Sequence, residues 1–291
     1  MIEVEKAAAE LAPHLAEEAR LNLLQSVFTH YQRLLTLPLL GLPSNGIVLD
    51  VGAGTGAMSL DMARSMGEGG RVFAVDNDPA MLEAARRLAE QLRSPLETVR
   101  GDANDLPFQD DTFDVTAARF LFQHLPDPAK ALAEMVRVTR PGGLVAVLDV
   151  DDGTILEEPP LPPAAAALYR AVTELQVQRG GDRQIGRKLH RLFREAKLAP
   201  VSVIGIPRVQ LGAVPGPRSE EIQTHHLQRL EREREAILAA GLLDEAELTA
   251  GLDAVRSLAG SDRFVYEVEL VAVGTVNEKR DPMRSKERWD S

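Results

Sequence analysis

Acidic residues set among glycines carry the first chemical signal in the chain. Asp50-Val51-Gly52-Ala53-Gly54-Thr55-Gly56 follows a short apolar run, Ile47 to Leu49, and precedes a helix-compatible stretch, Ala57 to Met66. Lacking a Cβ, a glycine can take positive φ and let a ligand approach the backbone, while unpaired N–H groups at the next helix start face that ligand. The pattern is that of a cofactor loop. A dinucleotide fingerprint would need its third glycine at position 57, which is Ala57, and a phosphate loop would need a Gly-Lys-Ser/Thr that is absent. A second apolar run, Arg71 to Val75, ends in Asp76, 26 residues beyond Asp50, and Asp78 with Pro79 then supplies a helix N-cap and a first-turn proline. A carboxylate at the tip of the strand after a glycine loop is placed to accept the two hydroxyls of a ribose.

A third element agrees. Leu96 to Arg100 reads as a strand running into Gly101-Asp102-Ala103, then Leu106-Pro107-Phe108, and a fourth strand, Phe113 to Ala118. Arg119 to Pro128 and Arg140-Pro141-Gly142-Gly143 complete an ordered series. On these motifs the chain resembles the class I S-adenosylmethionine-dependent methyltransferases, in their ubiquinone/menaquinone-type small-molecule branch, closely over residues 44–150 and loosely beyond.

The resemblance implies an α/β fold, a doubly wound Rossmann-like sheet of seven strands in the order 3-2-1-4-5-7-6, with an N-terminal helical cap and helical insertions. It implies S-adenosyl-L-methionine as cofactor, S-adenosyl-L-homocysteine as product, and methyl transfer to an O, N or C atom of a small-molecule acceptor by in-line displacement. Residue by residue, Asp50, Gly52, Ala53 and Gly54 would form the cofactor loop and Asp76 would hold the ribose. Asn77 and Met81 would border the adenine, Asp102 would accept from its exocyclic amine, Ala103 would leave room for the ring, and Arg119 would complete the cofactor set. A cyclase or rearrangement enzyme on the same fold, or a non-catalytic cofactor-binding regulator, would carry the same motifs.

Because the sulfonium already activates the methyl group, such a site needs alignment and exclusion of water more than a nucleophilic side chain. An acceptor hydroxyl or carbon acid still calls for a base. His124, shortly after the fourth strand, is the catalytic candidate, although a histidine before Leu-Pro-Asp-Pro equally suits packing against the loop. Asp149, Asp151 and Asp152 stand at or past the fifth strand, but no further metal ligand is recognisable and no metal is expected. Tyr169, His190, His225 and His226 are candidates to line the acceptor cavity, and Arg20 to meet the methionine carboxylate or stay solvated.

The elements that must position these residues divide the chain into a helical cap (1–43), a cofactor-binding core (44–150), a lid insertion with a helix (151–199), a C-terminal strand pair with a helical insertion (200–275) and a flexible tail (276–291). The segment from Asp151 to Pro163 is proline-rich and reads as a loop. Leu168, Ala171, Val172 and Leu175, then Ile185, Leu189, Leu192, Phe193 and Ala196, repeat at helical spacing, with Gly180 and Gly181 between them as hinge positions. The acceptor pocket is expected from the N-terminal helices and the stretch Asp151 to Gly181. Phe264 to Val273 reads as a strand, alternating at Val265, Glu267 and Glu269. The insertion from Val209 to Asp262 reads as charged helices that either close over an acceptor or form a homodimer contact.

Composition narrows the partners. Over 291 residues, 44 acidic against 33 basic side chains give a net charge of −11, which disfavours nucleic acid. The Asn/Asp-Pro-Pro-Tyr tetrapeptide of amino-methylating DNA enzymes is also missing, with Ala117-Ala118-Arg119-Phe120 in its place. No apolar run approaches the ~20 residues of a membrane span. Met1 to Glu5 lacks a secretory start, so a cytoplasmic location is expected. Without cysteine there is no disulfide, no cysteine-ligated radical cluster and no thiolate nucleophile.

Overall fold

The computed structural model describes residues 3–211, 217–258 and 262–277. The chain opens with helices α1 (Glu3–Leu11), α2 (Glu17–Phe28) and α3 (His30–Thr36), then alternates strand and helix: β1 (Ile47–Val51), α4 (Ala57–Met66), β2 (Arg71–Asp76), α5 (Pro79–Gln91), β3 (Glu97–Arg100), β4 (Phe113–Arg119), α6 (Pro128–Val138) and β5 (Thr139–Val150). Side chains of Asp78 and Asp127 cap α5 and α6, each followed by a proline in the first turn. Beyond β5 come β6 (Leu156–Glu158), α7 (Pro163–Gln178), α8 (Leu189–Glu195), β7 (Val201–Leu211), α9 (Pro217–Arg232), α10 (Arg234–Ala239), α11 (Glu245–Ser257) and β8 (Phe264–Thr275).

Strands β1 to β5 are parallel, and the order β3-β2-β1-β4-β5-β8 is completed by β7 antiparallel to β8, the expected order once β6 is set aside. β6 brings the sheet to eight strands and lies in the segment read from sequence as loop. Its reason is the length of β8, which pairs with β5 only from Glu269 onward and leaves Phe264 to Tyr266 for β6 to cover. Pairing with a partner strand, which local sequence does not encode, overrides the prolines next to it.

The sheet is buried on both faces, as parallel sheets must be. One face packs Phe113, Phe122, Met135 and Phe193 beneath α6 and α8, and the other packs Met58 and Met62 beneath α4. A separate apolar cluster, Leu168, Leu175, Leu230, Ile237, Leu248 and Leu252, joins α7 to α9, α10 and α11. The insertion therefore has a core of its own. Gly180 (φ 87°) and Gly181 end α7 by donating to the carbonyls of Val177 and Gln176, a helix C-cap in the left-handed conformation. Among the described residues no helix is long and apolar enough to cross a membrane. Most of the expected C-terminal tail, and parts of the expected insertion, lie outside the described residues.

The cap is fixed to the core by a buried ion pair. Arg33 on α3 donates from Nε to Oδ2 of Asp61 on α4 at 2.7 Å, donates from Nη1 to the Ser26 carbonyl, and lies 3.0 Å through Nη2 from Nδ1 of His30. Both members are almost wholly buried, at 2% and 4% exposure. Removing one partner strands the other charge away from water, so Asp61→Ala should lower stability by about 3–5 kcal/mol. A double replacement, Arg33→Met with Asp61→Leu, should cost less than Asp61→Ala alone; urea unfolding of the set checks this.

Candidate functional site

The glycine loop is held from beneath by the neighbouring strand. The N–H groups of Gly52 and Ala53 both donate to the Val75 carbonyl, at 2.9 and 3.0 Å, and Gly54 donates to Oδ2 of Asp76 at 2.8 Å. Positive φ at Gly52 (68°) and Gly54 (54°) turns the chain through this path. A Cβ on Gly56 would stand 2.8 Å from that of Ala85, so this glycine serves close packing of α4 on α5. Asp76 is thereby oriented at both oxygens, Oδ1 accepting from the Asp78 N–H at 3.0 Å.

A cavity beside the loop is lined by Gly52, Val75, Asp76, Asn77, Gly101, Asp102, Ala103, Leu121 and Leu125. It brings together Gly52, Asp76, Asn77, Asp102 and Ala103 of the expected cofactor set. Its lining combines the apolar Val75, Leu121 and Leu125 with the carboxylates of Asp76 and Asp102. Asp102 accepts through Oδ1 from the backbone and side chain of Asn104, at 2.8 and 3.1 Å, which fixes its turn.

The remaining expected residues lie elsewhere. Asp50 is buried below the loop, where its Oδ2 accepts from the Ser59 hydroxyl at 2.6 Å and burial pushes its pKa up to about 7, against the lowering effect of Ser59. It anchors the start of α4. Met81 packs against Ala19, Ala84 and Leu15, under the N-terminal cap. Ala53 and Gly54 shape the loop without lining the cavity. Arg119 makes a buried bidentate pair with Glu269 of β8, at 2.8 and 2.9 Å, and donates to the Thr29 hydroxyl at 3.3 Å. Arg20 donates to Gln228 on α9 at 3.1 Å.

Glu269 of the pair with Arg119 lines a second cavity, together with Thr29, Gln32, Phe120, Val150, Arg208, Glu267 and Val268. Its residues come from the N-terminal helices, the ends of β4 and β5, and the β7–β8 pair; none belongs to the stretch Asp151 to Gly181. Phe120 divides the two cavities in sequence, following Arg119 and preceding Leu121. It holds φ at 56°, a strained region for a bulky side chain, with its N–H donating to the Leu148 carbonyl at 2.9 Å and the Arg119 guanidinium 3.9 Å from its ring centre. Sequence reasoning missed Arg208, Phe120 and both glutamates as site residues. Its one available signal was acidic side chains at alternate positions of an otherwise apolar strand.

His124 keeps an accessible surface, with Nδ1 lying 3.4 Å from the Gln176 amide. The surrounding protein, then the like charges of Arg183 and Arg229, lower its pKa to about 4, so it is neutral at pH 7. Asp151 and Asp152 are each engaged bidentately, by Arg187 at 2.7 Å and by Arg183 at 2.8 and 2.9 Å. Among the described residues no group of three or more His, Cys, Asp or Glu side chains is arranged to hold a metal. Tyr169 and His226 stack at 5.6 Å and share a 2.5 Å hydrogen bond, His225 donates from Nε2 to the Leu21 carbonyl at 2.6 Å, and His190 is exposed on α8.

The glycine loop, the loop-oriented Asp76 and the cavity beside them lie together in an α/β domain. Residues 49–147 match the methyltransferase domain family. A demethylmenaquinone methyltransferase of Bacillus licheniformis is 37% identical over 39% of this chain and 49% of its own, and an uncharacterised transposon protein of Streptomyces fradiae is 37% identical over 55% and 46%. The chain thus spans about half the length of these curated relatives. A phosphoethanolamine N-methyltransferase of Haemonchus contortus, solved with S-adenosylhomocysteine, shares the fold over 85% of this chain and 53% of its own, with a TM-score of 0.53 at 20% identity. Residues 49–147 are thus similar to methyltransferase domains, on the α/β fold shared with these solved structures.

Burial also places Asp149 at about 7; its carboxylate accepts from the N–H groups of Val150 and Gln123, at 2.8 and 3.1 Å, and sits near the charge of Glu269. A folded-state pKa raised above the ordinary 3.8 stabilises the fold at low pH and loses that contribution as pH climbs to about 7. Asp149→Asn should therefore make stability change more favourably from pH 4 to 7 than it does in wild type, leaving the falling contribution of Asp50 and the rising one of the neutral His124 and His226, as urea midpoints measured across that range would register.

Proposed function

We propose that the protein is an S-adenosylmethionine-dependent methyltransferase acting on a small-molecule acceptor, with the nucleoside in the cavity beside Asp76 and the acceptor in the cavity beside Arg208 and Glu269. The observation that carries this reading is the pair of cavities lined from the strand ends, with the strained Phe120 lining one and the adjacent Leu121 the other. The first cavity suits the cofactor: a Cβ at Gly52 would come within 2.8 Å of Leu121, and an acid already oriented by the loop faces the space.

When bound, the cofactor supplies a methyl group activated by its sulfonium. In this reading Asp76 accepts the ribose hydroxyls, Asp102 and Asn77 border the base, and Leu121 and Leu125 exclude water from its faces. Asn22 accepts from the Thr55 hydroxyl at 3.1 Å and stands over Gly54, so α2 closes the loop side. Phe120, Val150 and Val268 give the acceptor an apolar seat. His124 is neutral at pH 7 and so retains a nitrogen able to take a proton, and Asp149, balanced near neutrality, is the other group able to hold one.

Release of S-adenosylhomocysteine, followed across a panel of phenols, quinols, amines and prenyl compounds, tests the activity. Product with at least one member is expected; cofactor hydrolysis without acceptor dependence across broad panels would favour a binding role instead. Asp76→Ala should weaken S-adenosylhomocysteine binding by roughly 1.5–3 kcal/mol, the scale for hydrogen bonds to a charged group, with circular dichroism unchanged. Calorimetry showing equal affinity in both proteins would mean that another residue holds the ribose.

A further inference from the structure

Helix α3 turns its polar residues inward and its apolar ones out. His30, Gln32, Arg33 and Thr36 are buried, whereas Tyr31, Leu34 and Leu35 are exposed. A surface helix ordinarily does the reverse, and each polar side chain taken out of water needs a partner to offset that loss. Arg33 has Asp61 and His30, and the Thr36 hydroxyl donates to the Arg33 carbonyl at 2.8 Å. Gln32 differs. It is 9% exposed, its Oε1 is buried with no hydrogen-bond partner among the described residues, and it lines the second cavity.

The polar groups around it in that lining are already engaged. Glu269 is taken by Arg119 through two hydrogen bonds, and Arg208 and Glu267 pair with each other. The Thr29 hydroxyl donates to the Gln25 carbonyl at 3.0 Å and accepts from Arg119. Backbone N–H groups are engaged as well: Phe120 donates to the Leu148 carbonyl, Val150 to the Asp149 carboxylate, and Val268 to the Thr154 hydroxyl at 3.1 Å. Against these stand the apolar side chains of Phe120, Val150 and Val268 and the unpaired amide oxygen of Gln32.

This lining restricts the chemistry of an occupant in two ways. Its charges cancel, the guanidiniums of Arg119 and Arg208 against the carboxylates of Glu267 and Glu269, so an ion entering the space would lose its water without gaining a countercharge. An amide oxygen, moreover, accepts but cannot donate, so the group that meets it must carry a proton. A neutral hydroxyl satisfies both conditions. An aliphatic amine meets only the second, because it is ammonium at pH 7, and a carboxylate meets neither.

We infer that Gln32 is a specificity-determining residue, its side-chain carbonyl accepting a hydrogen bond from an uncharged hydroxyl of an acceptor whose apolar body lies against Phe120, Val150 and Val268. The inference rests on the reading of the second cavity as the acceptor's place and adds the group that is recognised there. It also accounts for the inverted helix: the pair between Arg33 and Asp61 fixes α3 on the core, and with it the backbone of the adjacent Gln32.

The test is calorimetric titration of the full chain at pH 7, with and without S-adenosylhomocysteine, using phenol, benzyl alcohol, anisole, benzoate and benzylamine. Phenol or benzyl alcohol should bind saturably, and whichever binds more tightly identifies the hydroxyl as phenolic or alcoholic. Anisole, whose oxygen carries no proton, should bind about tenfold more weakly, the scale of one lost hydrogen bond, and the benzoate anion and benzylammonium cation more weakly again. Gln32→Met, which keeps the length of the side chain without its amide, should bring the preferred hydroxyl compound down to the affinity of anisole and leave anisole unchanged. Tyr31→Ala, on the outer face of the same helix, should discriminate as wild type does. Failure of both hydroxyl compounds to bind saturably, anisole binding as tightly as they do, tighter binding of either ion, or an unchanged preference in Gln32→Met would each overturn the inference. The first three are read on wild type and need no variant to fold. Hydroxyl binding that depends on Gln32, in a chain that does not bind S-adenosylhomocysteine, would remove the cofactor reading alone.

Discussion

The bidentate pair between Arg119 and Glu269 is the constraint around which the carboxyl edge is organised. It joins the end of β4 to a residue 150 positions away on β8, with only 8% and 6% of the two side chains exposed. Taking both ions out of water is costly, and a buried pair of this kind recovers that cost only when the remaining polar atoms are also satisfied. Here they are: the third guanidinium nitrogen reaches Thr29 between α2 and α3, and the flat face of the group lies over Phe120. One side chain therefore fixes the last strand, the N-terminal helices and the strained turn out of β4 together. Phe120 can hold its left-handed conformation there because its surroundings over-determine it.

Much of the first cavity's lining was legible in the sequence because its determinants are local. Gly52, Asp76, Gly101 and Asp102 each stand at the end of a short apolar run, where a parallel strand turns out of the sheet. The positions of Asp50 and Met81 were less legible, since a residue type says nothing about which side of a loop or helix it occupies. Asp50 turns inward to Ser59 and Met81 turns toward Ala19. The second cavity was hardly legible at all. Its residues come from α3, the β4 and β5 ends, β7 and β8, so that only the folded register Arg208↔Glu267 and Ile206↔Glu269 reveals their common face.

The insertion shows the same division. Its helices could be read from periodicity, whereas its placement over the N-terminal cap could not. Between α2 and α9 the contacts fall at successive turns: Glu18 with Arg232 at 3.5 Å, Arg20 with Gln228, the Leu21 carbonyl with His225, and Gln25 with Arg229. Since α2 also meets the glycine loop through Asn22 and Thr55, it touches both that loop and the insertion. The helices α7, α9, α10 and α11 share a separate apolar core.

Electrostatics at this edge are shaped as much by what is neutral as by what is charged. With both lowered to about 4, His124 and His226 neither gain nor lose a proton around pH 7. The positive field there comes from guanidiniums, which stay protonated throughout, and so it is constant across the neutral range. The groups in this region that do titrate there are Asp149, buried at the end of β5, and Asp50, buried below the glycine loop and acted on by the charge of Arg119. As pH rises through 7 they add negative charge, Asp149 close to Glu269. The positive field is thus strongest on the acidic side of neutrality and weakens above it, with the change originating in carboxylates that burial, more than any specific partner, has moved into that range.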